Sequence, residues 1–437
     1  MQASIFRGYL LLLVWLVYVG VFSSRIQSVF SLEDVSSEPK IDVPLKKLRK
    51  YIQINTSNPS PKYEEAMDFL AAYASEIGLD FKVVRCAEGD PPTGIMTWKG
   101  QDPKVPSILL NSHTDVVPAN AADWEFDPFN ATLSVDKEGK SILVGRGSQD
   151  CKSLGIMYLE AIRNIIGLFP EGPQRTIQLS FVPDEETGGD RGLRCLAESP
   201  EFSKIFPNIG LVFDEGFLND GNDILAFYSE RVQRGFKITA KGNSGHASQF
   251  ITDLATDKIM AFAAKARLFR FQENRRMENH GLQLGDVSTI NLDIIKVGSA
   301  LNVVPGVAEA WFDLRVTPLA DIPSIEKMLF RWASESDVKL EFKKKDEPHS
   351  TNATSNAFWS SIQETANELN LPLKLAVFPA ATDSRHLRKL GIPAIGLTPI
   401  NQHPIQAHAI DESIRLKAFY KGIKFYTKLL PRLASFK

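Results

Sequence analysis

Cysteine is scarce: Cys86, Cys151 and Cys195 are the only three in 437 residues, and none belongs to a C-x-x-C pair. So few thiols cannot close a disulfide framework or build a thiolate metal cluster, and both scaffold types are excluded. An excess of either charge is also missing. Fifty Lys and Arg stand against 52 Asp and Glu, a net charge of −2 without a basic run. That removes the electrostatic footprint of nucleic-acid binding. Solenoid-period repeats and low-complexity tracts are absent. With 43% hydrophobic and 23% charged residues, the composition is that of a globular chain. Its length exceeds what one hydrophobic core fills, so two domains are expected.

An apolar run long enough to span a bilayer is lacking too. The nearest is Gly8–Phe22, 15 uncharged residues between Arg7 and Ser23-Ser24-Arg25. A spanning helix needs about 20 apolar residues, whereas the core of a secretory signal needs roughly 7–15. Residues 1–30 are therefore read as a signal peptide, with an uncleaved membrane anchor as the alternative. Asn55, Asn130 and Asn352 begin N-x-S/T sequons, which suit entry into the secretory pathway.

What is present is a repeating pattern. Beyond a polar linker at Ser31–Pro39 and an amphipathic helix stopped by Gly78, short apolar runs each end in polar residues. Ile108-Leu109-Leu110 leads into His113 and Asp115, and Ile177–Val182 into Asp184-Glu185-Glu186. Ile209–Phe213 leads into Asp214-Glu215, and Ala394–Leu397 towards His403 and His408. Helical periodicity fills the gaps, as at Leu154–Ile166. Continuous apolar strands alternating with helices predict an α/β fold, a mainly parallel sheet covered by helices on both faces. Ligands in such sheets sit beyond the carboxyl ends of the strands, where these acidic clusters fall.

From residue 229 to 347 the periodicity changes. Alternating strands at Phe236–Ala240, Ser288–Val297 and Val307–Val316, helices near Asp253–Gln272 and Ile325–Trp332, and a strand near Val338–Phe342 give the order βαββαβ. That is the split, ferredoxin-like unit. It is expected to be inserted into a first domain made of residues 40–228 and 348–437.

Taken singly, the polar clusters are weak signals. His113-x-Asp115 reads equally as a hydrogen-bonded turn histidine; Asp150 before a helix reads as a carboxylate favoured by the helix dipole. Three adjacent acids, Asp184-Glu185-Glu186, are ordinarily solvated charge. Gathered at one sheet edge they repel one another unless a cation intervenes. Imidazole and oxygen donors without thiolate suit zinc, manganese or cobalt. The ligand count exceeds the three of a lone catalytic zinc, so two metals sharing a carboxylate are expected. His403 and His408 are not distinguished on these grounds. Cys151 lacks a partner histidine and reads as a small packed side chain.

The motifs Asn111-Ser112-His113-Thr114-Asp115, Gly145-Arg146-Gly147 through Asp150, Asp184-Glu185-Glu186-Thr187-Gly188-Gly189, Asp214-Glu215-Gly216 and Gly245-His246-Ala247-Ser248 occur in one order. With Asn302-Val303-Val304-Pro305, Asp313-Leu314-Arg315 and Pro379-Ala380-Ala381-Thr382-Asp383-Ser384-Arg385, they resemble the aminoacylases. These belong to the zinc-dependent peptidase group that also contains carnosine dipeptidases and desuccinylases. The likeness runs from about Pro44 to Ser435. It implies two zinc ions per subunit, with cobalt or manganese as substitutes: His113 and Glu215 on one, Glu186 and His408 on the other, Asp150 bridging. His408 is selected because the family ligand stands a few residues before an acidic pair, here Asp411-Glu412.

The resemblance further implies that Asp115 orients His113 and that Glu185 is the general base. His246 reaches the site of a partner subunit, so a homodimer through the inserted lid domain is expected. Arg315, Asn302 and Thr382 bind substrate, with Arg315 on its carboxylate. The implied reaction is hydrolysis of N-acyl-L-amino acids. A dipeptidase or carboxypeptidase of the same group is the alternative, and an inactive secreted glycoprotein serving as a binding module is the alternative of another class. Secretory localisation, secreted, lumenal or anchored, is expected from the leading segment; the similar aminoacylases are cytoplasmic.

Overall fold

The densest apolar runs become the centre of an eight-stranded sheet. In spatial order its strands are Asp80–Val84, Thr93–Trp98, Ile177–Val182, Ser107–His113, Ile209–Asp214, Ala394–Leu397, Ile224–Glu230 and Leu373–Phe378. The computed structural model describes residues 41–435. The Gly8–Phe22 segment lies outside the described residues, among which no helix is long and apolar enough to cross a membrane. The four strands from Ile177–Val182 to Ala394–Leu397 run parallel. Antiparallel pairings join the first two strands to this block and Ala394–Leu397 to Ile224–Glu230.

Both faces of this sheet are covered. Ile108 and Leu110 point into the large core with helices Lys152–Ile165 and Leu416–Ser435, whereas Leu109 points into a smaller one with Leu193, Phe202, Phe206 and Leu387. This is the two-residue alternation of a strand buried on both sides. Tyr158 and Tyr426 pack edge to face between those two long helices, ring centroids 4.7 Å apart.

A separate antiparallel sheet has the order Thr289–Val297, Val307–Val316, Phe236–Lys241, Lys339–Phe342, the strand arrangement of the ferredoxin-like unit. Ala308, Ala310, Phe312, Leu314 and Val316 line its own core with helices Ala255–His280 and Ile322–Glu335. The first of these helices continues past Gln272 to His280, where Gly281 at φ 59° closes it. Chain entry and exit run side by side: Lys343 N–H donates to the Gly235 carbonyl (2.7 Å) and Asp346 N–H to that of Gln233 (3.1 Å).

Two features depart from expectation. A three-stranded sheet of Thr132–Val135, Ser141–Val144 and Ser413–Arg415 has no clear apolar pattern behind it. Scarce cysteine also misled on one point: Cys86 and Cys195 form a disulfide, Cα atoms 6.0 Å apart across 109 residues. Two thiols suffice for one staple though not for a framework, and a contact created by strand order leaves no trace in sequence spacing. Cys151 is free and buried.

Candidate metal centre

His113 is the last residue of its strand and is almost fully buried. Its Nδ1 lies 2.8 Å from the backbone carbonyl of Asp115. A proton there leaves Nε2 as the ligating atom, and Nε2 faces Asp150 Oδ1 at 2.9 Å and Glu215 Oε2 at 3.3 Å. The expected partner was the Asp115 carboxylate, but that stands 3.7 Å from Nδ1. It accepts instead the backbone N–H groups of Glu185 and Glu186, at 3.2 and 3.1 Å. The carboxylate positions the acidic loop, and the carbonyl positions the imidazole.

That loop follows strand Ile177–Val182. Asp184 adopts φ 68° and Gly188 φ 112°, so a single 3₁₀ turn, Glu185–Thr187, swings both glutamates over the strand ends. The left-handed region is uncommon for a residue with a Cβ; here the turn that carries Glu185 and Glu186 holds it. His408 shares that trait at φ 64°.

Asp150 is placed by a buried acid. Glu412 accepts hydrogen bonds from the Gly147, Gln149 and Asp150 N–H groups and a salt bridge from Arg146 at 2.7 Å. The Gln149 side chain donates to the carbonyls of Pro404 and Ser413 and accepts from Gln406 N–H. Thus the loop with Asp150 and the loop with His408 are fastened together.

Two groups of side chains result. His113, Asp150 and Glu215 form one, and Asp150, Glu186 and His408 the other, the donor atoms of each within 4.8 Å of one another. Asp150 Oδ2 faces His408 Nε2 at 3.3 Å, and Glu186 Oε2 faces the same nitrogen at 2.9 Å. Asp150 therefore turns one oxygen to each group. Cys151 Sγ borders the first, but burial holds its thiol well above the usual range, and it accepts the His113 N–H.

The charges show what this cluster asks for. Burial and the Asp150 charge push Glu215 well above the usual carboxylate range; burial and the Glu215 charge do so to Glu185. Hydrogen bonds to Asp150 and Glu186 raise His408 to about 10. Burial opposes charge on His113, yet Cys151, Glu215 and Asp150 raise it well above its usual range. Burial would raise Asp150, but the two histidines hold it down. Glu186 Oε1 is buried without a protein partner, a costly state for a carboxylate oxygen. The donor set fits divalent cations, which would neutralise the acids and leave both imidazoles neutral, as ligands must be.

The other expected site residues belong to neither ligand group. His246 is exposed and bonded to the Ser248 hydroxyl at 2.7 Å. Asn302 is exposed beside it, its carbonyl accepting Ala247 N–H. Arg315 is held at Nε by both oxygens of Asp313. Thr382 is buried, its N–H on Glu230 Oε2 at 2.7 Å. His403 has both ring nitrogens engaged, by the Pro404 carbonyl and the Arg415 N–H, which leaves it no lone pair for a metal. Sequence reasoning missed Glu412 as a support, although it named the residue as a marker. It also missed how Asp214 is used, between Asn111 Nδ2 (2.9 Å) and Ser384 Oγ (2.7 Å).

Residues 109–432 match the model of peptidase family M20/M25/M40. Aminoacylase-1 of Mus musculus is 40% identical over 392 residues, covering 89% of this chain and 94% of that protein. Aminoacylase-1 of Homo sapiens is 39% identical over 394 residues with the same coverage. In fold, the chain is similar to an M20 family metallo-carboxypeptidase from Sulfolobus solfataricus, with a TM-score of 0.67 and 17% identity over 89% of this chain and 99% of that one.

Proposed function

The chain belongs to the M20/M25/M40 peptidase family of metal-dependent hydrolases, and on that footing we propose that it is an aminoacylase. It cleaves N-acyl-L-amino acids to a carboxylate and a free L-amino acid. The chemistry rests on one observation above others: the two oxygens of Asp150 turn to two separate ligand groups. The substrate class is supported by the extent of likeness to aminoacylase-1 proteins.

Two zinc ions per subunit are the proposed cofactor. His113 and Glu215 would hold one, Glu186 and His408 the other, and Asp150 would serve both. When bound, such a pair supplies Lewis-acid polarisation of the amide carbonyl and brings a water's pKa to about 7. Glu185 would accept the attacking water's proton on its carboxylate and return it to the leaving nitrogen. Its carboxyl stands on the same 3₁₀ turn as Glu186, next to the proposed ligands. Asp115 fixes the backbone under Glu185. Arg315, bound to Asp313 only through Nε, presents its guanidinium fork to the substrate carboxylate.

His246 serves the neighbouring subunit of a homodimer, with Asn302 alongside. Its exposure supports this, as does the unpaired outer edge of strand Thr289–Val297, where Leu292, Ile294, Ile295 and Val297 are exposed. Bare apolar edges ordinarily invite pairing. Passage through the secretory pathway is proposed from the Gly8–Phe22 segment. The Cys86–Cys195 disulfide supports it, because such bonds persist in oxidising compartments. Asn130 and Asn352 are exposed, as glycan acceptors must be.

Elemental mass spectrometry on the purified protein, with steady-state rates on N-acetyl-L-methionine and on carnosine, tests the reading. Two zinc ions and a preference for the acylated amino acid are expected; preference for carnosine would move the chain to the dipeptidases. Glu185→Gln should keep the metal and lose turnover. Retained turnover removes Glu185 from its role.

A further inference from the structure

Strand Ile224–Glu230 ends where the chain leaves the large sheet for the second one, and its last residues hold both sides. Glu230 is buried, and its carboxylate accepts Thr382 N–H through one oxygen and Arg388 through the other, both at 2.7 Å. Arg231, 7% exposed, donates through its backbone to the Phe378 carbonyl (3.0 Å). Its side chain then spans the gap. Nε donates to the Pro379 carbonyl at 2.7 Å, and Nη1 donates to the Thr289 hydroxyl at 3.1 Å and the Val287 carbonyl at 3.4 Å.

Those acceptors belong to different parts of the proposed site. Pro379 opens the segment that ends in Thr382. Thr289 is the direct cross-strand partner of Arg315, so the two side chains stand side by side on one face of the second sheet. One guanidinium thus fixes the spacing between the Thr382 segment and the strand pair that carries Arg315. Burial, with the Arg315 charge close by, pushes Arg231 down to about 10, so it stays cationic at neutral pH. Two neighbouring guanidiniums favour an anion between the segments they hold.

We propose that Arg231 is a positioning residue that sets the distance between Arg315 and the Thr382 loop, and so governs affinity for the substrate's free carboxylate. It touches neither the metal ligands nor Glu185. The inference rests on the aminoacylase reading for its substrate but not for its structural half. Only a planar group with donors on two edges can reach both Pro379 and Thr289, so lysine is a poor replacement.

The test uses the full-length protein and the variants Arg231→Met, Arg231→Lys, Thr289→Val and the double variant Arg231→Met with Thr289→Val. Kinetics on N-acetyl-L-methionine are measured together with metal content and backbone hydrogen exchange. Arg231→Met should raise KM about tenfold or more with kcat within about threefold of the parent, the mark of lost binding without lost chemistry. Arg231→Lys should recover only part of this, and Thr289→Val should give a smaller KM rise that adds nothing to Arg231→Met. Exchange should quicken at residues 287–290 and 380–385 in Arg231→Met. An unchanged KM, or a fall in kcat with KM constant, overturns the proposal. Should Arg231→Met fail to fold, Thr289→Val decides by the same criteria. Unchanged exchange overturns the latch whatever the substrate, whereas a parent enzyme that cleaves no acylated amino acid overturns the aminoacylase reading and leaves exchange to judge the latch.

Discussion

Asp115 Oδ2 accepts the backbone N–H of Glu186 at 3.1 Å, while the Asp115 carbonyl, through a different face of the same residue, takes Nδ1 of His113 at 2.8 Å. One residue therefore aims a proposed ligand from each group. The two tasks separate by mutation. Asp115→Asn keeps the carbonyl, so His113 stays oriented and metal content should remain near that of the parent. The amide replaces a charged acceptor under the Glu185–Glu186 turn, and kcat should fall about 10–100-fold, the usual scale for groups supporting a metal site. Loss of metal without loss of turnover by the loaded protein would contradict this division.

Glu412 carries more of the centre than its distance suggests. It is fully buried and neutralised by Arg146. Burial pushes its carboxyl up, while the Gln149 N–H and Arg146 pull it back. Glu412→Gln removes the carboxylate charge opposite Arg146 and weakens the side-chain bonds to the Gly147, Gln149 and Asp150 N–H groups. Breaking such a pair costs about 3–5 kcal/mol, which urea unfolding of the two proteins measures directly. A variant as stable as the parent would show that the loop holds itself.

The Cys86–Cys195 bond closes a loop of 109 residues. Disulfides typically stabilise a fold by about 2–4 kcal/mol. Cys86→Ser and Cys195→Ser should each lower the unfolding free energy by that amount, and a reductant should do so for the parent but not for either variant. An equal response to reductant in all three proteins would mean the thiols are unpaired.

Acid sensitivity has a local source in His386. Burial, with Arg385 and Arg194 beside it, pushes this imidazole down to about 3. Between about pH 6.5 and 3 the unfolded chain therefore binds a proton that the folded chain does not. Stability from this group is complete above the unfolded pKa and is lost as pH falls, at about 1.4 kcal/mol per pH unit. His386→Gln should flatten the decline between pH 7 and 5 relative to the parent. Denaturation midpoints that fall in parallel for both proteins would assign the sensitivity elsewhere.

Much of this was readable from sequence, because burial on both faces writes itself as unbroken apolar runs. Ile108–Leu110 and Ile209–Phe213 announce themselves in that way, and the polar residues just past them are where the clusters form. The alternation of Ala308 to Val316 was equally legible. Strand Asp80–Val84 was not: it lies at a sheet edge, largely exposed, so no pattern separates its residues from a loop. The roles of Asp115 and Glu412 were hidden for another reason. Their partners are backbone N–H groups, which every residue carries, and in the case of Glu412 they lie more than two hundred residues away in the chain. His403 and His408 look alike in sequence, and only the fold shows that the first has both nitrogens occupied.

The paired carbonyls of Gly235 and Gln233, meeting Lys343 and Asp346 at the root of the second sheet, place the start and finish of that module next to each other. Whatever lies between them can lengthen, shrink or be exchanged for a differently shaped cassette without asking the remaining backbone to stretch. Such a doorway lets one hydrolytic engine be refitted for new cargo by grafting a single contiguous segment.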